Sequence, residues 1–184
     1  MADSKQTILN RLILLQCGQG KAEGFETLVK SWEQPLFYYV RRMAGSEEDA
    51  WDVMQEVWLR AFRGITSVRE PGALGAWLYR IAHNAVLNRL QRSPRWEPLN
   101  EDAEVAESVE DDLPMGFAAQ DIHRALDELP GLEREALTLY FLEGYQLSEI
   151  AEIVEAPLGT VKSRMFRAKK NMRAVLEKGE RRHD

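Results

Sequence analysis

The stretch from position 144 to 173, GYQLSEIAEIVEAPLGTVKSRMFRAKKNMR, constrains the fold of this chain more than any other. Before its single proline, apolar residues recur at helical spacing, which predicts a short helix with one buried face. These residues are Leu147, Ile150, Ala151 and Val154. Pro157 ends the pattern because proline cannot continue a preceding helix, and it suits the first turn of the next one. The stretch therefore predicts two helices joined by a tight turn.

The helix after Pro157 has one apolar and one basic face. The apolar residues are Val161, Met165, Ala168 and Met172, and the basic residues are Lys162, Arg164, Arg167, Lys169, Lys170 and Arg173. A helix-turn-helix pairs a bracing helix with one that enters the major groove, and this pattern fits it. An ordinary helical hairpin with a solvated basic face is the alternative. The tight turn, the small Ala151 and the segregated cations favour DNA binding.

The net charge of −6 hides a strong segregation of sign along the chain. Positions 158–182 hold nine Lys and Arg against two Glu, which gives +7. Positions 93–117 hold one Arg against eight Asp and Glu, which gives −7. Because a DNA duplex responds to the local field, the overall acidity does not argue against a nucleic-acid partner.

Two helices are predicted at the start of the chain. The first is amphipathic from Ile8 to Cys17, and the second runs from Phe25 to Met43, where we expect Pro35 to kink or restart it. Glycines at 18, 20 and 24 have neither the spacing nor the preceding strand of a phosphate-binding loop, so they predict a turn.

The third predicted helix, Glu47–Arg63, has the clearest pattern. Ser46 is a favourable N-cap, and Asp49 stands in the capping-box position. The apolar stripe consists of Ala50, Val53, Met54, Val57, Trp58 and Ala61. The opposite side carries Asp49, Asp52, Gln55, Glu56 and Arg60. Periodicity alone is typical of a plain solvated face there.

A loop is predicted from Gly64 to Gly75, followed by a helix from Ala76 to Arg92. Polar residues fall four apart on that helix, at Arg80, Asn84 and Asn88, with Arg92 beyond them. Arginine and asparagine beside aromatic residues can bind and stack on bases. An exposed helix face is the alternative.

Positions 93–117 combine three prolines with the acidic run, and such a composition buries too little apolar surface to order itself. We therefore predict a flexible acidic linker between two small helical domains, at positions 1–92 and 118–184. Helices predicted at Asp121–Leu129 and Glu133–Leu142 lead into the helix-turn-helix. The expected fold is all-α.

No set of residues in the sequence indicates catalysis. The three histidines are isolated, and one cysteine supplies neither a zinc site nor an internal disulfide. We expect no enzymatic activity, no metal and no cofactor. The single Cys17 suits a reducing cytoplasm, and the absence of a long apolar run predicts neither a signal peptide nor a membrane span.

Three blocks of this sequence, in this order, resemble bacterial extracytoplasmic-function (ECF) sigma factors. DAWDVMQEVWLRAF, positions 49–62, is similar to the segment of the family that binds core RNA polymerase. WLYRIAHNAVLNRLQR, positions 77–92, is similar to the segment that opens and reads the promoter −10 element. Positions 129–170, with EIA and GTVKSR around a short turn, are similar to the domain that reads the −35 element.

The resemblance implies that the protein directs core RNA polymerase to promoter DNA, in a stress or signal response. It implies polymerase contacts for Asp52, Gln55 and Glu56. It implies −10 strand contacts for Arg80, Asn84, Asn88 and Arg92, together with the Gly64–Gly75 loop. It implies −35 contacts for Thr160, Lys162, Ser163, Arg164 and Arg167. We expect the side chains of Arg164 and Lys170 to lie opposite the buried Val161 and Met165, so that neither contributes much to stability.

Three positions depart from the family pattern. Gln146 replaces the usual Ser or Thr helix cap and is a weaker one. Glu155 occupies a turn position where glycine is usual, so backbone strain is expected. Asn88 replaces a frequent aspartate beside the −10 strand, which predicts a changed promoter preference.

A stand-alone helix-turn-helix regulator is the rival hypothesis. It explains the C-terminal half but not the blocks at 49–62 and 77–92. Many members of the family are also held by an anti-sigma factor, which makes such a protein a further expected partner.

Overall fold

The computed structural model describes residues 2–91 and 119–180, and every regular element within these two ranges is helical. The chain divides into two compact units that contain one range each. The predicted acidic linker at 93–117 and the predicted −10 contact Arg92 lie outside the described residues. The predicted domain boundaries fall there as well and stay predictions.

The first unit contains four helices. They are α1 (Ala2–Gly18), α2 (Ala22–Ala44), α3 (Glu47–Gly64) and α4 (Leu74–Gln91). Short 3-10 turns at Ile65–Ser67 and Pro71–Ala73 lie between α3 and α4. Helix α2 packs against all three of the other helices, and its buried side chains form the middle of the core. These side chains are Leu28, Leu36, Tyr39 and Val40.

Helix α2 is continuous across Pro35, so the helix does not restart there, and the predicted kink stays a prediction. Proline removes one backbone hydrogen bond and clashes with the preceding turn, at a cost of about 3 kcal/mol. Fully buried residues stand on both sides of it, with Leu28 before and Leu36 after. Their burial against neighbouring helices offsets this cost and keeps α2 helical through the proline.

The predicted glycine turn is confirmed, because α1 ends at Gly18 and α2 begins at Ala22. Gly24, however, lies inside α2, where it permits a close helix contact. A Cβ atom at this position would lie 2.7 Å from the Cβ of Gln16 and 2.8 Å from the backbone nitrogen of Cys17. Only glycine lets α1 and α2 approach this closely.

Helix α3 follows its predicted pattern. The backbone N–H of Asp49 donates to Ser46 Oγ at 3.0 Å, and Ser46 Oγ donates to Asp49 Oδ2 at 2.7 Å. The predicted stripe is buried, apart from the half-buried Trp58. Cap and stripe together orient α3 so that its polar side faces away from the core.

The second unit is organised around a long C-terminal helix. Its elements are α5 (Ala119–Glu128), α6 (Gly131–Leu137), a π-helical turn (Thr138–Leu142), α7 (Leu147–Ile153) and α8 (Leu158–Glu180). Helix α8 packs against α5, α6 and α7. The four residues predicted to be buried on it are Val161, Met165, Ala168 and Met172, and each is at most 1% exposed.

Helices α7 and α8 form the predicted helix-turn-helix. The backbone N–H of Gln146 donates to the Glu149 carboxylate at 2.8 Å, so Glu149 caps the start of α7. Glu155 adopts φ 49°, and the N–H of Ala156 donates to the carbonyl of Ala151 at 3.1 Å. This left-handed residue closes α7 in the manner of a Schellman motif, a position that favours glycine. The predicted strain at Glu155 is confirmed.

Replacing Glu155 with glycine is expected to stabilise the second unit by about 1 kcal/mol, because a residue with a Cβ pays that cost in the left-handed region. Exchange of the buried α8 amides in increasing urea measures the change. Glu155→Ala is the matched control, since it removes the carboxylate but keeps the Cβ. Equal stabilisation by both substitutions would assign the effect to charge and contradict the strain.

Candidate nucleic-acid and polymerase interfaces

The polar ridge on α3 consists of Asp52, Gln55 and Glu56. Asp52 and Gln55 are exposed, and Glu56 is half-exposed. Glu56 pairs with Arg60 one turn along the helix. Such surface pairs contribute only a few tenths of a kcal/mol, so the Glu56 carboxylate is readily available to another cation.

Arg89 of α4 joins this ridge to the next helix. Its guanidinium pairs with the Asp49 carboxylate and lies 3.6 Å from the Asp52 carboxylate. The hydrogen bonds from Arg89 and then Ser46 lower the pKa of Asp49. A lowered carboxyl pKa stabilises the fold at neutral pH, and this contribution is lost as the pH falls through the lowered value. Arg89 therefore connects the two helices predicted to meet polymerase and promoter.

Exposed apolar side chains flank the ridge, which the sequence interpretation missed. Trp51, Leu59 and Phe62 are 44%, 58% and 65% exposed. Trp51 packs on Phe37 of α2, with ring centroids 4.3 Å apart. The sequence could have shown this, because Trp51, Leu59 and Phe62 are large apolar residues that fall outside the predicted buried stripe of α3. Large exposed apolar groups beside a charged ridge are typical of a protein interface.

The predicted −10 face lies on α4 and on the loop before it. Arg80 is exposed, while Asn84 and Asn88 are half-buried one and two turns further along. The loop between α3 and α4 exposes most of its residues, which are Thr66, Ser67, Arg69, Glu70, Gly72 and Ala73. This exposed loop therefore comes directly before the helix that carries Arg80, Asn84 and Asn88.

The predicted −35 residues do not share one exposed face of α8. Lys162 is exposed and Thr160 is half-exposed, but Ser163 is 2% and Arg164 is 7% exposed. The prediction that Arg164 points away from the core is wrong. It follows Val161 by three positions and precedes Ala168 by four, so it lies at the margin of the buried stripe. Contacts with α5, α6 and α7 cover more than one side of α8, which also accounts for buried Ser163.

Arg167 is engaged inside the second unit. Its Nε lies 3.6 Å from the carboxylate of Glu133 on α6. Asn171 Nδ2 donates to the same carboxylate at 2.7 Å. Glu133 is itself only 7% exposed, so this network ties α6 to α8. Arg167 remains half-exposed, with part of its guanidinium charge directed to an acid of its own domain.

The exposed face of α8 instead contains two apolar residues that the sequence interpretation did not assign. Leu158 is 42% and Phe166 is 46% exposed, and they lie one turn before and one turn after Lys162. Arg173 is also exposed on this side of the helix. We call Leu158, Lys162, Phe166 and Arg173 the outer face of α8. The sequence could have shown this shared face, because residues four and seven positions apart lie on the same side of a helix.

Comparison with known proteins identifies both units. The model of sigma-70 region 2 matches residues 28–95, and that of sigma-70 region 4 matches residues 119–172. The RNA polymerase sigma-H factor of Pseudomonas aeruginosa is 31% identical over 86% of this chain and 89% of its own. The ECF RNA polymerase sigma-E factor of Haemophilus influenzae is 32% identical over 89% of this chain and 93% of its own.

The chain belongs to the ECF family of RNA polymerase sigma factors. Its fold agrees with that of the Bartonella quintana sigma factor RpoE, solved in complex with the anti-sigma factor NepR. The TM-score is 0.63 at 23% identity, over 85% of this chain and 98% of the other.

As a sigma factor, the protein acts in transcription initiation and has core RNA polymerase and promoter DNA as partners. The predicted function is confirmed, and the stand-alone regulator is not favoured. Region 2 contains α3 and α4, and region 4 contains the helix-turn-helix. Every helix described in this sigma factor is too short or too polar to span a bilayer. Nowhere in the described ranges do three or more His, Cys, Asp or Glu side chains gather as a metal site requires.

Proposed function

We propose that this sigma factor binds core polymerase through the α3 ridge, captures the −10 strand with α4 and its preceding loop, and reads the −35 element with the outer face of α8. The observation that carries the proposal is the exposure pattern. In each case polar or basic side chains project from a helix whose opposite side is buried in its own unit. Each surface is thus held by a core that does not depend on the partner.

The polymerase surface combines charge with apolar area. Asp52, Gln55 and Glu56 supply acidic and amide groups, and Trp51 and Leu59 lie beside them. Charged groups at an interface contribute specificity and association rate, whereas buried aromatic anchors contribute most of the affinity. We therefore assign affinity to the apolar residues and orientation to the ridge.

The −35 surface reads bases with few side chains. Lys162 donates to base acceptors or phosphates, and Phe166 offers an apolar contact of the kind that recognises a thymine methyl group. Thr160, near the start of α8, lies where recognition helices approach the groove. Arg167 contributes positive charge, which Glu133 partly neutralises. Burial gives Ser163 and Arg164 a positioning role in place of direct contact.

The regulation and setting of the protein follow from its family. We assign it to the cytoplasm, to a stress or signal response, and to control by an anti-sigma factor. A fold relative solved with its anti-sigma factor supports such a partner. We also propose that the chain has no catalytic activity of its own, since transcription chemistry belongs to the polymerase.

Replacing both Asn84 and Asn88 with alanine tests the −10 assignment. Holoenzyme carrying the double substitution should bind promoter DNA in the closed state normally but form fewer open complexes, because hydrogen-bonding groups for the unpaired strand are lost. Permanganate reactivity of −10 thymines measures opening. Gln19→Ala, at an exposed position of the same unit outside α4 and its preceding loop, is the matched amide control. Normal thymine reactivity in the double variant would refute the assignment.

A further inference from the structure

Helix α1 lies outside the part of the chain that matches sigma-70 region 2, which begins at residue 28. It nevertheless packs against both 3-10 turns of the loop between α3 and α4, as well as against α2. The loop is thus held at its base by a helix that the region 2 match does not include.

The contact is made by a buried polar side chain. Asn10 is only 4% exposed, and its Nδ2 donates to the carbonyl oxygen of Pro71 at 3.0 Å across 61 residues of sequence. Its Oδ1 accepts from Gln6 Nε2, also at 3.0 Å. Both ends of the Asn10 amide are therefore satisfied, and Ile13, one turn further along α1, is fully buried.

The loop has few other means of holding its shape. Its own turns are closed by four local bonds. Val68 N–H donates to the Ile65 carbonyl at 3.1 Å and Ser67 Oγ to the Gly64 carbonyl at 2.7 Å, while Ala73 N–H donates to the Glu70 carbonyl at 3.0 Å and Leu74 N–H to the Pro71 carbonyl. Ile65 is buried, but most of the residues after it are exposed, so little apolar burial fixes the rest of the loop. A segment with sparse burial and few bonds opens easily unless it is tied down.

We propose that Asn10 is a positioning residue for promoter reading, which holds the 65–73 loop in the conformation that receives the −10 strand. The proposal rests on the proposed role of this loop at the −10 element. Asn10 lies beneath Pro71 and does not itself touch DNA. Ordering the loop before the strand arrives lowers the entropy that strand capture must overcome.

The test uses the full chain and two substitutions of Asn10. Asn10→Leu removes both hydrogen bonds at similar volume, and Asn10→Asp keeps the acceptor for Gln6 but removes the donor to Pro71. Hydrogen exchange of the Val68 and Ala73 amides should accelerate by about three- to tenfold in both, as expected for one lost hydrogen bond. Amides of Val40 in α2 and Val57 in α3 should keep their protection. Gln6→Ala, which leaves the Pro71 bond in place, is the matched control.

The functional readout is holoenzyme formed with core polymerase, on a promoter found by mapping its transcription starts. Core affinity should stay within about twofold, as expected for a change remote from the ridge. Open-complex formation should fall severalfold. Unchanged protection of the Val68 and Ala73 amides would contradict the positioning role of Asn10. An equal loss of protection at Val40 and Val57 would also contradict it, because Asn10 would then act only as an ordinary core residue. Loss of loop protection with normal opening would instead overturn the proposed −10 role of the loop.

Discussion

Arg164→Ala is expected to destabilise the second unit by about 1–3 kcal/mol, because it removes a buried side chain with its packed stem. Arg164 is 7% exposed on α8. Amide exchange at Met165 and Ala168, measured in urea, reports the loss. Binding to −35 DNA should weaken equally for matched and mismatched sequences at temperatures where the unit begins to unfold.

Lys162→Ala provides the contrast within the same helix. It removes one positive charge as Arg164→Ala does, but from an exposed position. Stability should change by no more than about 0.5 kcal/mol, as is usual for exposed sites. Binding to −35 DNA should weaken by about 1–3 kcal/mol if Lys162 reads a base, or the salt slope should fall by roughly one unit if it contacts a phosphate. If Arg164→Ala instead left the stability of the second unit unchanged and abolished its discrimination between −35 sequences, Arg164 would read bases directly, and its buried position would not be the one that acts on DNA.

Glu56→Lys is expected to weaken core polymerase binding roughly tenfold, which corresponds to about 1.4 kcal/mol. The substitution reverses charge on the ridge and places a cation one turn from Arg60. The free energy of unfolding should change by only a few tenths of a kcal/mol, since the Glu56–Arg60 ion pair that is lost lies on the surface. Titration of labelled core enzyme in the absence of DNA measures the affinity.

Glu26→Lys is the control for that experiment. Glu26 is an exposed glutamate on α2 of the same unit, so the reversal of charge and the helical setting are matched. Its effect on polymerase affinity should be small, because Glu26 is not part of the ridge proposed to contact the polymerase. Equal weakening by both substitutions would indicate general electrostatic attraction and refute a specific ridge.

The sequence predicted the helices well wherever local periodicity or capping was not opposed by tertiary packing. The stripe of α3 and the apolar positions of α8 follow from helical periodicity, which depends only on neighbours in sequence. The Ser46 cap and the strain at Glu155 are likewise local, since they involve residues within one turn. Pro35 is the exception, because burial at Leu28 and Leu36 outweighed a local helix-breaking preference.

The binding surfaces were predicted less completely, because exposure depends on which elements pack nearby. Periodicity placed Arg164 on the basic face, but contacts on several sides of α8 covered it. The same packing left Phe166 exposed beside Lys162. Glu133 is 38 positions from Asn171, and no local rule pairs them.

The sequence by itself determined the all-helical architecture, the helix-turn-helix and the family, because helical periodicity, caps and ordered motifs are encoded over short stretches. Only the tertiary structure decided which charged residues remain available to partners. Arg89 pairs with Asp49 and Arg167 pairs with Glu133, while the neutral amide of Asn10 donates to the Pro71 carbonyl. Each of these contacts joins residues more than 30 positions apart. Such contacts depend on how whole helices pack, which buries some side chains and exposes others on the same helix.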